Sequence, residues 1–181
     1  MRLDIPYYSQ YRDVKDTEWQ KRACWVVCLK MLLDARGVKT PLLDEMIQDG
    51  TALGAYSENG WLHDGLIALG ERYGGELYRK EFRKKDANTE TAERLNREGI
   101  DMILHELEVG RPVIVSAIKN FEISNKFHMV LVVGAEIEEG VVKGFYYHDP
   151  DSYTENKGAY QFVLISTFST VWRRMAIFSK K

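Results

Sequence analysis

Residues 24–36, CWVVCLKMLLDAR, limit the fold more than any other stretch of the chain. Placed at about 100° per residue, Cys24, Cys28, Met31, Leu32 and Ala35 share one helical face, with Trp25, Leu29 and Leu33 beside it. Only Lys30 and Asp34, one turn apart, mark a polar stripe. A helix apolar around most of its circumference is buried on most sides. The rest of the chain must therefore wrap around this segment, which Gly37 stops.

What wraps it changes character along the chain. Thr40-Pro41 has the form of an N-cap followed by a first-turn proline, opening a short helix to Gln48. Residues 61–73 read as a further helix, ended by Gly74-Gly75. Residues 91–109 read as another, weakened by Gly99 and closed by Gly110-Arg111-Pro112. From there the pattern turns to strands, over 112–118, 127–137, 141–148 and 174–179, with a short helix at 166–172. Helices first and an antiparallel sheet after them predict an α+β fold. The 181 residues hold no low-complexity segment, internal repeat or long linker, which predicts a single domain over residues 1–181.

Composition narrows the function classes. The chain is 45% hydrophobic, enough for a sizeable core. Its 25 Lys+Arg against 27 Asp+Glu give a net charge of −2, which argues against nucleic acid as a partner. No apolar run approaches the roughly 18 residues that span a bilayer, so no membrane span is expected. Met1-Arg2 is not followed by the apolar core of a signal peptide, and a cytoplasmic location is the expectation. Two cysteines do not make a disulfide framework. A C-x3-C pair alone lacks the further ligands of a metal site, so neither metal nor cofactor is expected.

The residues able to carry chemistry are Cys24, Cys28 and four histidines. Cys24 opens the buried helix, where unpaired N–H groups and the positive end of the helix dipole favour thiolates. Position alone leaves nucleophile and small core residue both open for it. Cys28, mid-face with Leu32 one turn on, reads as core. His128 opens an apolar strand and shares a face with Val130 and Val132. If the following hairpin turns at Glu138-Glu139, His128 faces Asp149; if Gly140 joins the loop, it faces Pro150. Either register brings the imidazole within reach of the Asp149 carboxylate, which would fix the ring tautomer and stabilise its charge. A plain turn role for Asp149 in His-Asp-Pro-Asp stays open too. His148 alternates to the other face, and His105 reads as a surface residue. His63 and Asp64, adjacent on a helix, do not face each other.

Six short motifs in a fixed order carry more than any one of them. They are Ile5-Pro6-Tyr7-Tyr8-Ser9-Gln10, Cys24-x3-Cys28-Leu29-x-Met31-x-Leu33, Gly60-Trp61…Leu66-x-Ala68…Tyr73-Gly74, Gly110-Arg111-Pro112-Val113-Ile114-Val115, His128-x-Val130-x-Val132-x-Gly134 and His148-Asp149-Pro150. Together they resemble the papain-like cysteine peptidases of the bacteriocin-processing, double-glycine type (cysteine peptidase family 39), in particular their stand-alone relatives. The resemblance implies a papain-like α+β fold with the nucleophile helix packed on an antiparallel β-sheet. It also implies roles. Cys24 attacks a carbonyl, His128 acts as general base and then acid, and Asp149 orients His128. Gln10, which without the resemblance reads as a polar residue after a strand, donates to the oxyanion together with the Cys24 N–H. The chain departs from the family where Trp25 and Val26 replace Gly-Pro, although Cys-Trp is what the papain branch shows. An indole there would reshape the leaving-group side or block the cleft. The expectation is a thiol hydrolase, a cysteine peptidase acting on peptide or protein substrates. Two alternatives stand beside it: an acyltransferase using the same triad, and a catalytically silent peptide-binding module.

Overall fold

The computed structural model describes residues 1–122, 126–154 and 157–180. A single turn, α1 (Thr17–Gln20), is capped by the Asp16 carboxylate and leads into α2 (Cys24–Ala35). Seven residues of α2 between Val26 and Leu33 are buried, as its nearly continuous apolar surface requires. Leu29, Leu32 and Leu33 are fully enclosed, so truncating any one of them to alanine costs about 2–5 kcal/mol. The next helix, α3 (Leu43–Ala52), starts later than Thr40-Pro41 suggests. The Thr40 hydroxyl is already used by the Lys30–Asp34 pair, donating to Asp34 at 2.5 Å and accepting from Lys30 at 2.6 Å. Glu45 instead reaches back to the Leu42 N–H at 3.1 Å.

A small hairpin, β1 (Tyr56–Ser57) and β2 (Gly60–Trp61), precedes α4 (His63–Arg72). Trp61 therefore lies in a strand rather than in the helix, its indole N–H donating to the Arg22 carbonyl at 2.8 Å. Then come β3 (Leu77–Glu81), α5 (Thr89–Glu108), β4 (Val113–Ile118), a 3₁₀ turn at Lys119–Phe121, β5 (Phe127–Glu138) and β6 (Val141–His148). The chain continues through β7 (Gln161–Leu164), α6 (Ile165–Val171) and β8 (Trp172–Ser179). Six strands form one antiparallel sheet in the order β3-β8-β4-β5-β6-β7.

Both faces of this sheet are covered. Met129, Leu131 and Val133 of β5 pack with α2, α3 and α4. Val130 and Val132, on the opposite face by alternation, pack with α5 and α6. This double cover explains why five of the six residues of β4 are buried.

Two features bring the N-terminal segment and the β5–β6 hairpin to one end of α2. Arg2 bridges Gly134 of β5, where a Cβ would sit 2.5 Å from the Met1 carbonyl oxygen, so only glycine admits the crossing chain. From there the segment runs past β6. The His148 ring contacts the Ile5 carbonyl at 3.1 Å, the Tyr7 hydroxyl donates to the Asp149 carbonyl at 2.8 Å, and the Gln10 N–H donates to the Pro150 carbonyl at 2.9 Å. The hairpin loop itself begins one residue later than in either expected register. Glu139 and Gly140 both have positive φ, 50° and 78°, a two-residue turn that pairs Glu138 with Val141. Two register shifts follow, at Val132/Gly134 and Glu136/Ile137, and the ladder ends at Leu131 opposite His148.

Candidate active site

The corrected register changes how His128 reaches Asp149. Continued past Leu131, the pairing would set His128 opposite Asp151, making Asp149 its diagonal neighbour rather than its direct partner. Diagonal pairs stay within reach of long or aromatic side chains. The reach is made: His128 Nε2 lies 2.6 Å from Asp149 Oδ1, with both residues buried. Asp149 is held from several sides. Its carboxylate also accepts the Asp151 N–H at 2.8 Å, its own N–H donates to Gly158 at 2.7 Å, and its carbonyl accepts from Tyr7.

Cys24 is the first residue of α2, half-buried, and no described side chain caps the helix at Ala23. The N–H groups of that first turn have no intrahelical acceptor and sit beside the sulfur. Cys24 lines the same cleft as His128, and its side chain favours the charged form of that ring. Burial alone would drive the proton off the ring. The hydrogen bond to Asp149 and the interactions with Cys24 and the Asp149 charge outweigh it and raise the His128 pKa to about 10. A row Cys24–His128–Asp149 results, with the imidazole as its charged centre.

Gln10 closes the third side. It is 3% exposed, and its Oε1 has no partner among the described residues, an unusual state for a buried amide. Gln10, Cys24 and His128 line one cleft of about 520 Å³, together with Tyr11, Lys21, Lys119, Lys126, Phe127 and Asp151. Four residues far apart in sequence are thus assembled: three on the cleft and Asp149 behind His128.

The other candidates fall elsewhere. Cys28 is fully buried one turn along, its thiol 3.5 Å from the Met129 carbonyl, and burial followed by the charges of Cys24 and Asp149 pushes that thiol well above its usual range. His148 is buried and engaged at both nitrogens, by Ile5 and by the Tyr160 N–H at 3.1 Å. His63 packs against Trp25 with ring centroids 4.5 Å apart and planes tilted by 31°, and Arg79 contacts its Nδ1 at 3.1 Å. His105 is exposed, as read, while its neighbour Glu106 is buried in an ion pair with Arg111. The contact with His63 sets the Trp25 indole against α4, and Trp25 is not among the described residues lining the cleft. Sequence reasoning missed Tyr7 and the three cleft lysines. Tyr7 stood in the quoted N-terminal motif, whereas isolated lysines from separate segments leave no periodic signal.

No family model matches the chain, and neither does any curated protein. Solved structures do. A protein of Bacillus anthracis described as a C39-like peptidase superposes over 100% of this chain and 98% of its own, at 14% identity and a TM-score of 0.66. The fold is that of the C39-like peptidases. A double glycine motif protease from an AMS/PCAT transporter, crystallised with the leader peptide, matches over 99% of this chain and 94% of its own, at 17% identity and a TM-score of 0.60. The peptidase domain of Streptococcus ComA, a bifunctional ABC transporter, matches over 88% and 91%, at 16% identity and a TM-score of 0.57. The C39-like fold has a papain-like plan, a helix packed on an antiparallel sheet. In this chain no helix among the described residues is long and apolar enough to cross a membrane. At such identities the likeness carries the architecture, and the chemistry rests on the residues of this cleft.

Proposed function

We propose that the protein is a thiol hydrolase of the cysteine-peptidase type, with Cys24 as nucleophile, His128 as general base and acid, Asp149 as its orienting group and Gln10 as an oxyanion donor. The observation that carries this reading is the buried His128–Asp149 pair at 2.6 Å, on the cleft that Cys24 also lines from the start of α2. In the first half-reaction the Cys24 sulfur attacks a peptide carbonyl, and negative charge develops on its oxygen. The Gln10 amide and the Cys24 N–H then hold that charge, a role supported by both residues lining the same cleft. The C–N bond then breaks, His128 giving its proton to the departing amine and leaving a thioester on Cys24. A ring that keeps its proton to about pH 10 suits that step. In the second half-reaction water attacks the thioester while His128 takes one of its protons, releasing the thiolate and the carboxylic acid, which loses its proton to solvent. An amine in place of water would give acyl transfer from the same intermediate.

The test is cleavage of an unbiased peptide library, read as new termini by mass spectrometry, with and without added amine. Wild-type protein should cut a subset of peptides, and Cys24→Ala and His128→Ala should each lower the rate by about 10³-fold or more. Cleavage that persists in Cys24→Ala would overturn the reading.

A further inference from the structure

Resting on that reading, we infer that Lys119 and Asp151 are positioning residues for the reaction. Their ion pair straps together the strand ends on either side of His128 and so keeps the Asp149 carboxylate on its ring. On one side of β5, pairing with β4 runs to the end, with Ala117 opposite His128 and the Lys119 N–H donating to the Lys126 carbonyl at 2.9 Å. On the other side the ladder with β6 stops at Leu131 opposite His148. The stretch of β5 that carries His128 therefore meets the turn after β6 and not a strand.

That turn is closed through one oxygen. Asp149 Oδ1 accepts the Asp151 N–H at 2.8 Å and also lies 2.6 Å from His128 Nε2, so whatever shifts residue 151 shifts the partner of the ring. Asp151 is held in turn. The Lys119 ammonium, at the end of β4, reaches past the start of β5 to its carboxylate, and both side chains line the cleft with His128. A second contact makes the same crossing: the Phe121 ring packs edge-on against Tyr147 of β6, with centroids 4.9 Å apart. The backbone that sets up both contacts is strained. Asn120 and Phe121 follow Lys119 with φ of 60° and 53°, and a bulky residue such as Phe121 adopts that region only where its surroundings enforce it. The Asp151 side chain is 8% exposed, so removing Lys119 leaves an enclosed carboxylate without its cation and favours a rearranged turn.

A peptide cleaved in the library and an NMR titration of the His128 ring are the two readouts. Lys119→Met should lower kcat about tenfold with KM within about twofold, and Lys119→Arg should keep both near wild type. The double variant Lys119→Met/Asp151→Asn removes the strap without changing net charge. It should lose about as much kcat as Lys119→Met alone, because the two residues act as one unit. In this double variant the His128 midpoint should fall toward 6.5, since the ring loses its carboxylate bond. A general loss of stability does not produce that shift in the folded protein. Unchanged kcat in the double variant, or a midpoint that stays or rises, overturns the strap. So does a raised KM with unchanged kcat, which would make Lys119 a substrate contact instead. If wild type cleaves no peptide, the hydrolase reading fails, while the titration still decides whether Lys119 and Asp151 hold Asp149 on His128.

Discussion

His128 is buried and yet holds a proton, and that combination has a measurable consequence. In the unfolded chain its ring releases the proton near 6.5. In the folded protein burial opposes the charge, but the bond to Asp149 and the interaction with Cys24 win and keep the ring charged to about pH 10. The charged ring's contribution to stability is therefore whole below about 6.5 and fades as pH rises toward 10. Urea unfolding of wild type and His128→Gln at pH 6 and pH 9.5 reads this directly. The stability gap between them should shrink at the higher pH; a gap that widens means the sign is wrong. In the proposed mechanism Gln10 acts at a different moment. An oxyanion donor works on charge that develops only in the transition state, so Gln10→Ala should lower kcat by about 10²–10³ while iodoacetamide labels Cys24 at the wild-type rate. Equal loss of labelling and turnover would place Gln10 in holding the cysteine rather than the oxyanion.

The elements that could be read from sequence are those whose burial is one-sided or complete. The apolar wrap of α2 and the runs of β4 and β5 announce themselves, because burial leaves long stretches without charge. The strands β3 and β7 do not. They are the two edges of the sheet, partly exposed, and LYRKE carries three consecutive charges of the kind that guard an edge. Cys24 and His128 could be singled out from their places at the start of a helix and of a strand. The diagonal meeting of His128 with Asp149 could not, since it depends on where the hairpin turns and on two register shifts. Nor does sequence reveal how Gln10 is delivered. The N-terminal segment is clamped by His148, whose ring contacts Ile5 and accepts from Tyr160, and by the Tyr160 hydroxyl, which donates to Leu3 at 3.0 Å. Burial holds the His148 ring neutral, so a positive charge there is disfavoured. Replacing it by alanine leaves the Ile5 carbonyl without this ring contact and opens a cavity beside Tyr7. His148→Ala should cost about 2–4 kcal/mol in urea unfolding and reduce kcat through misplacement of Gln10. Unchanged kcat with reduced stability would separate the clamp from the site.

At the scale of the whole molecule, one sheet covered on both faces supports a cleft at the end of its buried helix. Solved C39-like structures share that plan at 14–17% identity, because packing needs the apolar pattern while chemistry needs particular side chains at a few positions. Gln10, Cys24, His128 and Asp149 come from four separated segments, and only the complete fold gathers them. The central claim is that Cys24, and not the deeper Cys28, forms a covalent intermediate with help from His128. An activated ester of a cleavable peptide, mixed with enzyme and quenched in acid within milliseconds to seconds, traps that intermediate for intact-mass and fragment mapping. The account predicts one acyl group per chain on Cys24, absent from Cys24→Ala and strongly slowed in His128→Ala. An acyl group on Cys28, or one that forms equally fast without His128, would contradict it.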